Sequence, residues 1–267
     1  MKRALLVGIN YIGTPYRLNG CINDVVNVEA FLRTLGYTEF IKYTDDTRDS
    51  SKLPTRNNIL IGFLNLLKGA KAGDELWFHY SGHGTLQRDR NRDEVSGQDS
   101  CICPSDFMRS GFITDDIIRA NLAVKVPSGV KLVIVLDACH SGTGADLRFK
   151  CDDNSYLKRG TRSPKTFNPD DWLISQTITE LQNYSMTSGD VFLISGCADN
   201  QTSADALIQN KWAGALTYAF LTLLKYNPNY LWNTFLKDLN SFLKVSGYSQ
   251  RPVLSCGKTR VINTKVL

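Results

Sequence analysis

The chain has 267 residues, 42% of them hydrophobic and 21% charged, which is ordinary globular composition and long enough to bury a substantial core in one large or two small domains. A net charge of +5 comes from lysines and arginines scattered without interleaved aromatics, no stretch approaches the ~18 apolar residues of a membrane helix, and MKRALLVGIN at the N-terminus runs into a strand without a signal-cleavage pattern. The sequence therefore points to a cytoplasmic protein with no membrane and no nucleic-acid partner, and its seven cysteines, an odd number without a secretory signal, read as reduced thiols.

Short apolar runs rich in Val, Ile and Leu predict strands buried on both faces at 4–9, 39–43, 75–80, 131–136, 191–194 and 252–254. Between them the apolar spacing predicts helices at 23–35, 55–67, 114–122, 213–224 and 231–245. Strand alternating with helix argues for an α/β fold, a mostly parallel central sheet with helices on both sides. From Leu147 to about Gly189 the composition becomes Asp-, Lys- and Arg-rich and predicts an exposed connector with no strand; residues 171–184 carry some helical periodicity through Trp172, Ile178 and Leu181.

Ligands of such a sheet gather at the carboxyl ends of its strands. Two Gly-rich segments stand there: Tyr80-Ser81-Gly82-His83-Gly84 after the third predicted strand and Asp137-Ala138-Cys139-His140-Ser141-Gly142 after the fourth. Cys139 alone could be an inert buried thiol. With His83 in its own glycine-flanked turn at the equivalent rim, the pair reads as nucleophile and base, since a cysteine attacks a carbonyl carbon usefully only as the thiolate. His140 is a rival base, but adjacent residues in a turn rarely face each other. The backbone amides of Cys139 and Gly84 are candidates for stabilising the oxyanion.

Two sets of aspartates flank this pair. Asp24 and Asp137 read equally as structural acceptors for backbone amides or as the floor of a pocket for a basic side chain. Asp99, Asp115, Asp116 and Asp146 read as dipole partners of helix N-termini or, if they converge, as an all-oxygen site for a hard cation. Cys101-Ile102-Cys103 lacks zinc-site spacing.

Taken together the blocks Gly8-Ile9-Asn10-Tyr11, Leu18-Asn19-Gly20-Cys21-Ile22-Asn23-Asp24, the His83 and Cys139 segments, Ile113-Thr114-Asp115-Asp116 and, further on, Ser195-Gly196-Cys197-Ala198-Asp199 with Gly214-Ala215-Leu216-Thr217 resemble the metacaspases, cysteine peptidases of the caspase-hemoglobinase fold. The resemblance implies a three-layer α/β/α sandwich and a catalytic dyad of His83 and Cys139. It also implies cleavage after Arg or Lys, with Asp24 and Asp137 as the acidic pocket and Cys21 and Ser81 as its walls. Asp99, Asp115, Asp116 and Asp146 match the family's calcium ligands, so Ca²⁺ is expected as an activating rather than catalytic ion. The chain looks like a type I-like member lacking a prodomain and is expected to act on protein or peptide substrates as a monomer.

On this reading residues 1–146 are large-subunit-like, 147–188 a connector and 189–267 small-subunit-like, all in one caspase-like domain. A zymogen that processes itself would use basic connector residues, Arg159 first, then Lys158, Arg162, Lys165 and Lys150. The alternative is a caspase-like scaffold or regulator that binds basic peptides without cutting them.

Overall fold

A computed structural model describes residues 1–88, 98–138, 145–153, 176–180, 186–196, 205–208, 211–258 and 263–267. In chain order, β1 (Lys2–Gly8) leads to α1 (Cys21–Thr34) and β2 (Glu39–Thr44), and α2 (Arg56–Leu67) to β3 (Glu75–Ser81). A small sheet of β4 (Gly84–Arg88), β5 (Gln98–Ile102) and β6 (Ile113–Thr114) follows, with the one-turn α3 (Phe107–Ser110) before β6 and α4 (Asp115–Asn121) after it. Then come β7 (Lys131–Asp137), β8 (Phe149–Asp153), β9 (Gln176–Glu180), β10 (Asp190–Ser195), the antiparallel pair β11 (Asp205–Ile208) and β12 (Lys211–Gly214), α5 (Ala215–Tyr226), α6 (Trp232–Val245) and β13 (Val253–Cys256).

The central sheet has the order β2-β1-β3-β7-β10-β13-β8-β9. From β2 to β10 every neighbouring pair is parallel, and β13, β8 and β9 extend the sheet antiparallel. Strict alternation along the strands builds a core on each face. Ala4, Leu6, Trp77, Val133, Val135, Phe192 and Ile194 face α1, α5 and α6, while Leu5, Val7, Phe78, Tyr80, Ile134 and Leu193 face α2 and α4. The result is a three-layer α/β/α sandwich in which each fully buried Phe or Leu contributes roughly 1.5–3 kcal/mol.

The helices follow from amphipathic spacing. In α6 the buried residues are Trp232, Phe235, Leu236, Leu239, Asn240 and Leu243, one stripe at three- and four-residue steps. Thr55 caps α2 by accepting from the Asn58 N–H at 3.2 Å, and Thr114 caps α4 by accepting from Ile117 N–H at 3.3 Å. Among the described residues no helix is long and apolar enough to cross a membrane.

The predicted strandless connector is corrected. Its first residues enter the central sheet as β8, with Leu147 and Phe149 buried, and 176–180, expected to be part of a helical stretch, form β9 beside β8. Acidic and basic residues disguised these strands, because the antiparallel end of a sheet does not need the continuous apolar runs of its parallel centre. The small β4-β5-β6 sheet was likewise missed, its strands being short and polar.

Candidate active site

In the parallel pairing of β3 with β7, Ser81 stands opposite Asp137. His83 follows the one by two residues in the chain, as Cys139 follows the other. Ser81 and Asp137 are both buried, on the face covered by α1 and α5, whereas Tyr80 faces the opposite core. His83 thus leaves the sheet at its carboxyl edge, between an acidic cluster on one face and a pair of tyrosines on the other.

The imidazole of His83 is oriented by a backbone group in the loop between β1 and α1. Its Nε2 lies 2.7 Å from the carbonyl oxygen of Tyr16. A carbonyl can only accept, so Nε2 carries a proton and Nδ1 is the ring nitrogen left to act as base. The Tyr11 ring packs on the imidazole with centroids 4.7 Å apart and a 41° tilt. The His83 N–H donates to Tyr11 Oη at 2.9 Å, and Tyr80 Oη donates to the His83 carbonyl at 2.7 Å. Burial pushes both phenols well above the usual tyrosine range, so they act as neutral hydroxyls.

On the other face Asp24 and Asp137 meet. Ser81 Oγ donates to Asp24 Oδ2 at 2.6 Å, and the Gly214 N–H reaches the same carboxylate at 3.0 and 3.1 Å. Asp137 Oδ2 accepts from both the N–H and the hydroxyl of Thr217, each at 2.8 Å. The two carboxylates therefore serve the first turn of α5, whose capping residue Gly214 offers no side-chain hydrogen bond of its own. Both approach so closely that a Cβ on Gly214 would lie 2.1 Å from Asp137 Oδ2 and 2.8 Å from Asp24 Oδ2. Cys21, buried at the start of α1, donates its N–H to Asn10 Oδ1 at 3.0 Å.

Beneath Thr217 lies a residue that sequence reasoning passed over. His79 is fully buried in β3, its Nε2 lies 3.3 Å from Thr217 Oγ1, and its Nδ1 has no hydrogen-bond partner among the described residues. Because Thr217 gives its proton to Asp137, it accepts from His79 Nε2–H. Burial pushes the imidazole down to about 3, so it is neutral. A lone polar residue in the apolar run Leu76-Trp77-Phe78-His79-Tyr80 was the available signal. Tyr16 gave none, because its contribution is a backbone carbonyl.

The second set of aspartates is spread over the small sheet and its neighbours. Asp99 on β5, Asp115 at the start of α4 and Asp146 are 5%, 1% and 2% exposed, and Asp116 is half-buried. Asp115 accepts from Ser100 N–H at 2.8 Å and Asp116 N–H at 3.1 Å. Burial first, then Asp115 and Asp99, push the neighbouring Cys101 thiol up. Asp146, with φ of 44°, is tied to α4 by Arg119 Nη1, which donates to its carbonyl at 2.7 Å. Buried carboxylates are donors suited to a hard cation, yet among the described residues no three His, Cys, Asp or Glu side chains are grouped to hold a metal.

Cys139 and His140 lie outside the described residues, as do Lys158, Arg159, Arg162 and Lys165. Lys150 is in β8, register-paired with Ser255 on one side and Thr179 on the other. Gly84 opens β4 opposite Ile102.

The fold and this edge define an α/β protein with a histidine and two carboxylates gathered at the carboxyl ends of adjacent parallel strands. Residues 2–148 match the family model described as "Metacaspase, peptidase C14 domain". Metacaspase-1 of Lodderomyces elongisporus is 38% identical over 95% of this chain and 64% of its own length, and that of Yarrowia lipolytica 35% over 100% and 64%. Metacaspase-1 of Debaryomyces hansenii is 36% identical over 100% of this chain and 67% of its own. The chain thus spans about two thirds of the length of these relatives. A crystal structure of a Geobacter sulfurreducens protein shares the fold, with a TM-score of 0.65 and 22% identity over 99% of this chain and 97% of that one. The chain belongs to the metacaspase family.

Proposed function

We propose that this protein is a cysteine endopeptidase that cuts after Arg or Lys, with Cys139 as nucleophile and His83 as base. The observation that carries the reading is the register of Ser81 with Asp137, which supports a common rim for the residues two positions beyond each. His83 Nδ1, the nitrogen left for the base role when Nε2–H is given to Tyr16 O, takes the thiol proton. The thiolate attacks the scissile carbonyl, amides of Gly84 and Cys139 receive the oxyanion, and Nδ1–H protonates the leaving amine. Water then hydrolyses the thioester with His83 again as base. The Tyr16 carbonyl stabilises the imidazolium formed in both steps.

The Arg/Lys preference is supported by Asp24 and Asp137 meeting beside this edge, with Ser81 and Cys21 as walls. Their oxygens already accept the protein's own N–H groups, so their burial does not by itself require a cation. What favours a basic substrate is net charge: two carboxylates in one buried place attract a guanidinium or ammonium and repel an aspartate side chain.

Activation by Ca²⁺ at Asp99, Asp115, Asp116 and Asp146 belongs to the same proposal. The ion would neutralise these carboxylates and draw together the segments that carry them. We place the protein in the cytoplasm as a monomeric zymogen, cut in its connector at Arg159 before Lys158, Arg162 or Lys165. Lys150 requires β8 to leave the sheet before cleavage.

The test compares fluorogenic peptides ending in Arg, Lys, Asn or Asp, with and without Ca²⁺, on wild type, Cys139→Ala and His83→Ala. Turnover confined to Arg and Lys and lost in both variants is expected, and mass spectrometry after calcium addition reads the connector cuts. Equal background rates in wild type and Cys139→Ala, with basic peptides still bound, would establish the scaffold instead.

A further inference from the structure

We propose that Tyr11 and Tyr80 form a two-hydroxyl clamp that positions His83, and that the clamp, rather than the turn itself, dictates the glycine at position 82. The inference rests on the reading of His83 as the base. The hydrogen bonds form a closed, direction-consistent ring. The His83 N–H donates to Tyr11 Oη at 2.9 Å, and Tyr11 Oη donates to the Cys103 carbonyl at 2.6 Å. Returning, the Cys103 N–H donates to Tyr80 Oη at 3.2 Å, and Tyr80 Oη donates to the His83 carbonyl at 2.7 Å. In this arrangement each hydroxyl gives one proton and takes one, with the two Oη atoms 3.1 Å apart and Tyr80 Oη also 3.1 Å from the Cys103 carbonyl, so the N–H and the carbonyl of His83 are both held.

Three further observations make this a built feature. Cys103 N–H also reaches the His83 carbonyl directly at 3.1 Å, so the ring is laced across its middle and fixes His83 to the end of β5. Tyr11 has φ of 50°, a left-handed conformation rare for a non-glycine residue and held here by its surroundings. The ring of Tyr11 is buried against the imidazole while its hydroxyl grips the backbone. A single side chain thus sets both the position of the His83 main chain and the tilt of its ring.

Gly82 does not have the positive φ that would explain a glycine in a turn, since it is absent from the left-handed glycines of the described residues. A Cβ there would stand 2.6 Å from Tyr80 Oη and 3.1 Å from Tyr11 Oη. Its lack of a side chain makes room for the two phenols. Among the described residues the Nε2 partner is a backbone carbonyl, so the imidazole draws its aim from this clamp, and small misplacements of a base cost rate steeply.

The experiment uses Tyr11→Phe, Tyr80→Phe and the double variant, which keep the rings and remove the hydroxyls. With an Arg peptide, kcat is expected to fall about tenfold or more in each single variant with KM within about twofold, and the double variant to lose little more than the worse single one. In the Cys139→Ala background, which needs no turnover, the His83 amide should exchange faster with solvent and its imidazole ¹⁵N shifts should move from the single Nε2–H tautomer toward a mixture. Unchanged kcat with a lowered melting temperature, or unchanged ¹⁵N shifts in both tyrosine variants, would overturn the clamp. Absence of turnover in wild type would instead count against the peptidase reading, and the NMR comparison would still decide the clamp. Should Tyr11→Phe not fold, Tyr80→Phe carries the same two readouts.

Discussion

Ser81 gives its hydroxyl proton to Asp24 across 2.6 Å, tying the end of β3 to the first turn of α1. Both groups are buried, so Ser81→Ala leaves a carboxylate oxygen without that donor. The expected loss is about 1–3 kcal/mol of stability, measured by urea unfolding at neutral pH. If Asp24 also receives the substrate's cation, KM for an Arg peptide changes more than kcat.

Gly214 sits where Asp24 and Asp137 converge, and the Cβ of an alanine would collide with both. Gly214→Ala should therefore push the carboxylates apart or displace the start of α5. The expected outcome is at least about a tenfold fall in kcat/KM for Arg and Lys peptides together with a lower melting temperature, since overpacking costs about 1–3 kcal/mol. Unchanged kinetics would separate the Asp24–Asp137 pair from substrate recognition.

His79 contributes a defined pH dependence. Burial lowers its pKa from 6.5 to about 3, so between those values the unfolded chain binds a proton that the folded protein does not. Stability from this source therefore rises with pH: it is complete above about 6.5 and is lost as pH falls toward 3, by up to about 1.4 kcal/mol per pH unit. Urea midpoints measured from about pH 7.5 down to 5 should fall more steeply for wild type than for His79→Gln. Parallel slopes would mean that the imidazole gains a proton without cost in the fold.

Asp115 is the most buried of the four proposed calcium ligands, at 1% exposure. Asp115→Asn removes its charge while keeping an oxygen able to accept from Ser100 N–H. Calcium binding followed by calorimetry should weaken by about tenfold or more, as loss of one charged ligand from a carboxylate site predicts, and calcium stimulation of turnover should fall with it. Retained affinity would place the ion elsewhere.

The sheet's centre could be read directly from the chain because strands buried on both faces must be continuously apolar. Residues 4–9, 75–80 and 131–136 stand as β1, β3 and β7 with shifts of one or two residues, and all five predicted helices are present. The strands β8 and β9 were not legible, since the antiparallel end of a sheet does not require the continuous apolar runs of its parallel centre. Within the stretch 171–184, where helical periodicity was expected, residues 176–180 pair with β8 instead.

The sequence by itself determined the chemistry on offer: a histidine and a cysteine, each just after a predicted strand, and two sets of aspartates. Chain order carries those facts, because residue type and strand ends are local properties. Only the tertiary structure decided which groups touch. It set Tyr16 O against His83 Nε2, closed the Tyr11–Tyr80 ring through Cys103, and brought Gly214 and Thr217 to carboxylates 190 and 80 residues away. Those contacts join distant segments, and several run through backbone atoms that every residue possesses, so no residue type announces them.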